Sequence, residues 1–238
     1  MANVTGTRRR MRVPVLTIVV FLASTAMAIA QLLHPRLLDD LQRTPAGLHG
    51  DWWRTVSTLV VQDGFRGQGV GGVVGGVLNL VFLLVLGAAA EQAVSRWRWL
   101  LGYLGAALVG EFVGYAWQPT GGGNSVADCG LAAIIVLAYL GSADRLPAFA
   151  APAASLWLGF LLATWTPWLI VAGIVISGVL RNPKAAGSRG FRAVLLIFAV
   201  VVGAVLCGVR NIHGAALLAG LVLAAIPAAD PLPATRAA

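Results

Sequence analysis

Gly121-Gly122-Gly123-Asn124-Ser125-Val126-Ala127-Asp128-Cys129-Gly130 opens an apolar run that continues to Ser142. Three glycines and an asparagine ahead of a long run of Ala, Ile, Val and Leu mark a loop that becomes a helix. The run has the length needed to cross a hydrocarbon layer, where each backbone polar group must be paired within its own segment. Read as a spanning helix, it predicts an all-α fold, and the rest of the chain agrees. The composition is 58% hydrophobic and 11% charged, and the mean hydropathy is +0.84. A soluble core of this size could not hide that much apolar surface.

Working outward at about 20 residues per span, the sequence predicts a retained first helix from Val13 to Leu33, behind Arg8, Arg9, Arg10 and Arg12. A polar stretch from His34 to Gly69 follows. Further spans are expected near Val70 to Gln92, Trp97 to Trp117, Ser125 to Ser142 and Pro147 to Trp165. Pro147 to Leu180 and Phe191 to Pro227 are each too long for one ordinary helix. The first is interrupted at Thr164-Trp165-Thr166-Pro167-Trp168 and the second at Gly208-Val209-Arg210-Asn211.

Splitting both gives eight spans, within a range of six to eight, in a single membrane domain over residues 1–238. A basic cytoplasmic tail would cover 1–12, and a short tail would cover 228–238. The positive-inside tendency supports eight: the amino terminus, Arg96, Arg98, Arg145, Arg181, Lys184, Arg189, Arg192 and Arg236 then share the cytoplasmic side with both termini. The outer side receives Arg210 and the first loop, whose Arg36, Arg43, Arg54 and Arg66 are balanced by Asp39, Asp40, Asp51 and Asp63. One tilted helix over Pro147 to Leu180 would turn the cluster from Arg181 to Arg192 outward.

The net charge of +8 is thus mostly a topology signal, and no basic-aromatic interleaving points to nucleic acid. Basic inner loops indicate a plasma membrane, of bacterial type. Cys129 and Cys207 fall within predicted spans, where a packed thiol is expected and a disulfide is not. Asn3-Val4-Thr5 fits a glycosylation sequon but lies on the predicted cytoplasmic side. No internal repeat is evident. Trp52, Trp53, Trp97, Trp99, Trp117, Trp165 and Trp168 sit near span ends, as an interfacial belt would.

Two chemically capable side chains stand at the mouths of spans: Ser125, and His213 in Asn211-Ile212-His213-Gly214-Ala215-Ala216. At a helix start after three glycines, free amides and the helix dipole favour negative charge, which suits an activated hydroxyl and a tetrahedral oxyanion. An imidazole on a second helix supplies a base. Ala216 and Gly220, one and two turns below His213, offer a small-residue stripe for close approach, with Gly130 and Ala127 opposite. The structural alternative is that Ser125 caps or packs and that His213 bonds to backbone. Gly67-Gln68-Gly69-Val70-Gly71-Gly72 satisfies G-x-G-x-x-G but lacks the strand a dinucleotide site needs, so it reads as a closely packed helix entrance.

Four stretches, in order, resemble the rhomboid family of intramembrane serine proteases over about residues 50–225. Gly50-Asp51-Trp52-Trp53-Arg54-Thr55-Val56-Ser57 resembles its first-loop Trp-Arg segment. Asn79, Gly87 and Glu91 match its second-span spacing, Gly123-Asn124-Ser125 with Ala127 and Gly130-Leu131 is similar to its serine box, and His213 with Ala216 and Gly220 to its last core helix.

The resemblance implies a rhomboid-like core and a Ser-His dyad, Ser125 as nucleophile and His213 as base, with no orienting carboxylate. It also implies oxyanion donors from the Asn79 side chain and the Ser125 amide. No metal or organic cofactor is implied. The expected partner is a transmembrane helix of another membrane protein, entering from the lipid and cut near its outer boundary, with the first loop half in the membrane beside the site. Four residues depart from the pattern: Gly75, where the family carries a His; Val126, where it carries Gly; Cys129, where an aromatic often stacks on the His; and Asp128, where the family is apolar. They favour the alternative of a catalytically inactive, helix-binding relative. A small transporter is a third class, without the paired broken helices or charge relays that would mark an ion path.

Three acids fall in spans. Glu91 is expected to serve structure, and Asp128 and Glu111 to pair with each other or with loop groups. His34 and His49, in the first loop, are expected to be solvated or interfacial.

Overall fold

The computed structural model describes residues 12–65, 69–143, 146–182 and 188–227. Arg8, Arg9, Arg10, Arg66, Arg145, Lys184, Arg236, the sequon and the carboxy-terminal tail lie outside these, as do Gly67 and Gln68. Eight apolar helices account for most of the described residues: α1 Val15–Leu33, α2 Gly69–Ala93, α3 Arg96–Trp117, α4 Ser125–Ser142, α5 Ala150–Ala163, α6 Pro167–Leu180, α7 Arg189–Gly208 and α8 Ile212–Ala225. Among the described residues, five are long and apolar enough to cross a membrane: α1, α2 (over Gly72–Ala93), α3, α4 and α7. The other three, α5, α6 and α8, are shorter apolar helices. Both long apolar runs break where the sequence predicts: Thr164 to Thr166 separates α5 from α6, and Val209 to Asn211 separates α7 from α8.

α4 lies at the centre. Every residue from Val126 to Val136 on it is buried, and α2, α3, α5, α7 and α8 all pack against it. Small residues set that density. A Cβ on Gly130 would strike the Gly102 carbonyl of α3, where a π-helical turn spans Leu101–Gly105. A Cβ on Gly220 of α8 would lie 2.9 Å from Gly130 Cα and 3.1 Å from the Ala133 methyl. Three backbones therefore meet at distances only Gly and Ala allow, which is the role expected of Gly130, Ala216 and Gly220. The α5–α6 hairpin closes in the same way, on Gly159 against Gly173.

Polar contacts tie the bundle at both ends. At one end, Glu91 near the close of α2 accepts from the Leu16 and Thr17 amides at 3.1 and 3.0 Å and from the Thr17 hydroxyl at 2.9 Å. These are first-turn donors of α1, which a carboxylate satisfies and whose dipole it complements. At the same end, Arg98 donates to the Ala224 and Ile226 carbonyls at the close of α8.

At the other end, short helical turns, Arg36–Leu41, Pro45–Leu48, Arg54–Ser57 and Asp63–Phe65, carry the first loop across the mouths of α3 and α4. Arg54 braces it, donating to Asp51 and to the Asp39 and Gln42 carbonyls. The glycine-rich entrance to α2 is closely packed: Gly64 lies against the Gly72 carbonyl, and the Phe65 ring against Gly76.

Two sequence expectations are corrected. Trp99 is not a belt residue. It is fully buried, donates to the Gly87 carbonyl at 3.1 Å and stacks on Tyr103. Its position on α3 turns it into the bundle, whereas Trp52, Trp97, Trp165 and Trp168 are exposed. Arg43, which the sequence places among first-loop charges balanced by Asp39, Asp40, Asp51 and Asp63, finds its acid in a span instead. It is buried, ion-paired with Glu111 of α3, and donates to the Gln118 carbonyl at 3.0 and 2.7 Å. A guanidinium taken out of water needs such partners, and the first loop carries it inward to meet them. His34 and His49 are exposed, as expected.

Candidate active site

Ser125 is the first residue of α4 and His213 the second of α8. Their side chains meet, with Ser125 Oγ 2.9 Å from His213 Nε2. Both are half-buried, so the hydroxyl is shielded yet reachable. The approach is set one turn deeper. Gly110 of α3 faces Ala216 and the Ile212 carbonyl, with room for no side chain. Val126, where the rhomboid pattern carries Gly, packs a methyl group onto that same glycine. Crowding at Val126 is thereby absorbed by Gly110.

Asn211, the N-cap of α8, was not anticipated as a site residue. Its Oδ1 accepts from the His213 main-chain N–H at 3.0 Å and lies 2.7 Å from His213 Nδ1. An amide oxygen only accepts, so Nδ1 carries the proton and Nε2 is left with its lone pair toward the serine. This is the tautomer a general base requires. One expectation is thus extended: Asn211, a neutral group, joins Ser125 and His213 in a single hydrogen-bonded row. Asn immediately before a helix is a capping signal, and its place two residues before the histidine is the cue the sequence offered. Arg210, just before it, holds a left-handed conformation at φ 55°.

Asn79 comes from α2. Its Nδ2 donates to Gln62 Oε1 at 3.3 Å, and no direct bond to Ser125 forms. The two converge at Gly123, where a Cβ would lie 3.4 Å from Ser125 Oγ and 3.7 Å from both Asn79 Nδ2 and Gln62 Oε1. A Cβ at Gly123 would stand in ordinary contact with all three groups, so this glycine marks where they come together. The first-turn amides of α4, Ser125 among them, have no intrahelical acceptor and point to this end. Amide hydrogens from two helices therefore border a small space beside the nucleophile.

The loop ahead of Ser125 is pinned to the first loop. Gly123 donates to the Thr58 carbonyl at 2.9 Å, Asp63 to the Gly122 carbonyl at 3.0 Å, and Arg43 and Gly121 exchange main-chain bonds. The Arg43–Glu111 pair anchors this assembly from below. Breaking such a buried pair from one side costs about 3–5 kcal/mol. Glu111 therefore pairs with a loop group, while Asp128 pairs with Asn124 at 3.0 Å; the two acids do not pair with each other. Cys129 donates from Sγ to the Ser125 carbonyl at 3.3 Å and is fully buried. Gly75 has nothing within 4 Å of where a Cβ would stand.

No family model matches the chain, and no curated protein matches it. Its chemistry is therefore read from the site. A hydroxyl held against an imidazole of fixed tautomer, at a helix start beside amide donors, can attack a carbonyl and stabilise the resulting oxyanion.

Proposed function

We propose that this chain is an intramembrane serine endopeptidase of the rhomboid type, cutting transmembrane helices of other membrane proteins. The observation that carries the reading is the 2.9 Å contact between Ser125 Oγ and His213 Nε2, made between two apolar helices with Asn211 on the far side of the ring.

Ser125 gives its proton to Nε2 as Oγ attacks the scissile carbonyl carbon. The carbonyl π electrons move to oxygen, and the oxyanion takes hydrogen bonds from the Ser125 amide and from Asn79 Nδ2. Positive charge on the imidazolium is stabilised by the Asn211 carbonyl at Nδ1. His213 then returns the proton to the leaving nitrogen as the peptide C–N bond breaks, and water, activated by the same base, releases the acyl group. A helix shields its own carbonyls, so substrates with helix-weakening Gly or Pro near the site are preferred.

The proposed topology has eight spans with both termini in the cytoplasm of a plasma membrane, and the site at the outer end. The exposed Trp52 and Trp53 then lie in the interface beside it. The test is cleavage of a single-span reporter, carrying a Gly-Pro pair near its outer boundary, in liposomes. Wild type is expected to cut it within the span and Ser125→Ala to leave it whole; equal cutting by both would overturn the proposal.

One observation favours the second reading, a helix-binding relative without catalysis: Gly75, with nothing within 4 Å of where a Cβ would stand, offers no side-chain donor one turn before Asn79. Under that reading the reporter co-purifies with wild type and with Ser125→Ala, uncut.

A further inference from the structure

Asp128 is buried completely, and its Oδ1 has no hydrogen-bond partner. A carboxyl group in that state is costly, and the serine mechanism does not use it. Its second oxygen accepts from Asn124 Nδ2 at 3.0 Å. Asn124 Oδ1 in turn accepts from Gln62 Nε2, and Gln62 Oε1 accepts from Asn79 Nδ2 at 3.3 Å. The chain thus runs from an acid to the side chain expected to bind the oxyanion, through two buried amides.

An amide can face a neighbour with either end, and the difference is decisive at Asn79: NH2 toward the serine stabilises an oxyanion, and C=O repels it. Each link constrains the next. A carboxyl oxygen that accepts makes Asn124 present NH2 to it, so Asn124 presents oxygen to Gln62. Gln62 then presents NH2 to Asn124 and oxygen to Asn79, and Asn79 must present NH2, whose second hydrogen remains for the site. Asn124 also donates to the Asn79 main-chain carbonyl at 3.3 Å, which favours the same orientation of its amide. Gln62 is fixed from α1, where Gln31 accepts from its N–H at 2.8 Å and donates to its carbonyl at 3.2 Å.

We infer that Asp128 is a positioning residue: through Asn124 and Gln62 it sets which end of the Asn79 amide faces the nucleophile. The inference rests on the serine-hydrolase reading above.

The test is a double-mutant cycle on the detergent-solubilised full chain, reading the rate of labelling by a fluorophosphonate. Wild type, Asp128→Leu, Asn79→Ala and the double variant are compared, with saturation kinetics to separate probe binding from the chemical step. Deleting an oxyanion donor costs roughly 10²–10³-fold. Asp128→Leu is expected to slow the chemical step by roughly tenfold or more with probe binding unchanged. In the Asn79→Ala background it is expected to add nothing, because the group it orients is gone. Asp128→Asn, which keeps the shape and an acceptor, is expected to recover part of the rate, and it replaces the Leu variant in the cycle if that variant does not fold.

Labelling of the Asp128 variants at the wild-type rate, or losses that multiply in the double variant, overturns the relay while leaving the hydrolase reading standing. A folded wild type that is not labelled removes the hydrolase reading, and the relay with it.

Discussion

Asn211 does two jobs with one oxygen, capping α8 and holding His213 Nδ1. The two can be separated. Asn211→Ala removes both, and labelling of Ser125 by a fluorophosphonate is expected to fall by roughly 10- to 100-fold, with about 1 kcal/mol of helix stability lost. Asn211→Asp keeps an acceptor and a cap, so its labelling is expected to stay within a few-fold of wild type. Gly75 is a second residue-scale case. With open space beyond its Cα, Gly75→His is expected to fold and to raise the labelling rate several-fold by adding a donor one turn before Asn79; a drop in rate would show that the space serves something else. Two residue identities were legible from local rules, and Asn79 only from the resemblance. Ser125 and His213 stand at helix starts that glycines and an asparagine announce, whereas Gln62 lies in an aperiodic loop and meets Asn79 and Asn124 only after folding.

At the level of elements, helix ends carry most of the polar bonding. Glu91 satisfies the opening amides of α1, and its separation from the site makes it a clean structural control. Glu91→Gln keeps one acceptor and loses the charge, so chemical denaturation is expected to show roughly 0.5–1 kcal/mol less stability. The labelling rate is expected to be unchanged; a large loss of labelling at full stability would point to a catalytic role for Glu91. Element boundaries were readable because Pro167, Gly208 and the Gly121–Gly123 run mark helix starts or ends for backbone reasons that need no partner. Trp99 was misplaced because position along a helix says nothing about which face it occupies. Arg43 and Glu111 sit far apart in sequence, and neither periodicity nor spacing signals that a loop arginine will be carried inward.

For the whole molecule, the length of each helix decides how it meets the bilayer. Three of the eight are short, and α8 brings His213 to the mouth of α4 from a helix of 14 residues, about 21 Å long. That is less than the roughly 30 Å of a hydrocarbon layer, so the dyad is set below the membrane surface if the inner helix ends are level. The eight-span reading places the segment between α6 and α7 inside. A cysteine reporter at Lys184→Cys is expected to resist an impermeant maleimide in intact cells and to react after lysis, whereas labelling in intact cells would require a six- or seven-span arrangement.

The proposed chemistry depends on Ser125 being activated by His213. The most direct measurement is labelling of the purified, folded protein by a fluorophosphonate, comparing wild type with Ser125→Ala and His213→Ala. Labelling of wild type that is lost in both variants is the predicted result. A well-folded wild type that does not react, or a His213→Ala variant that reacts as fast as wild type, would contradict the account.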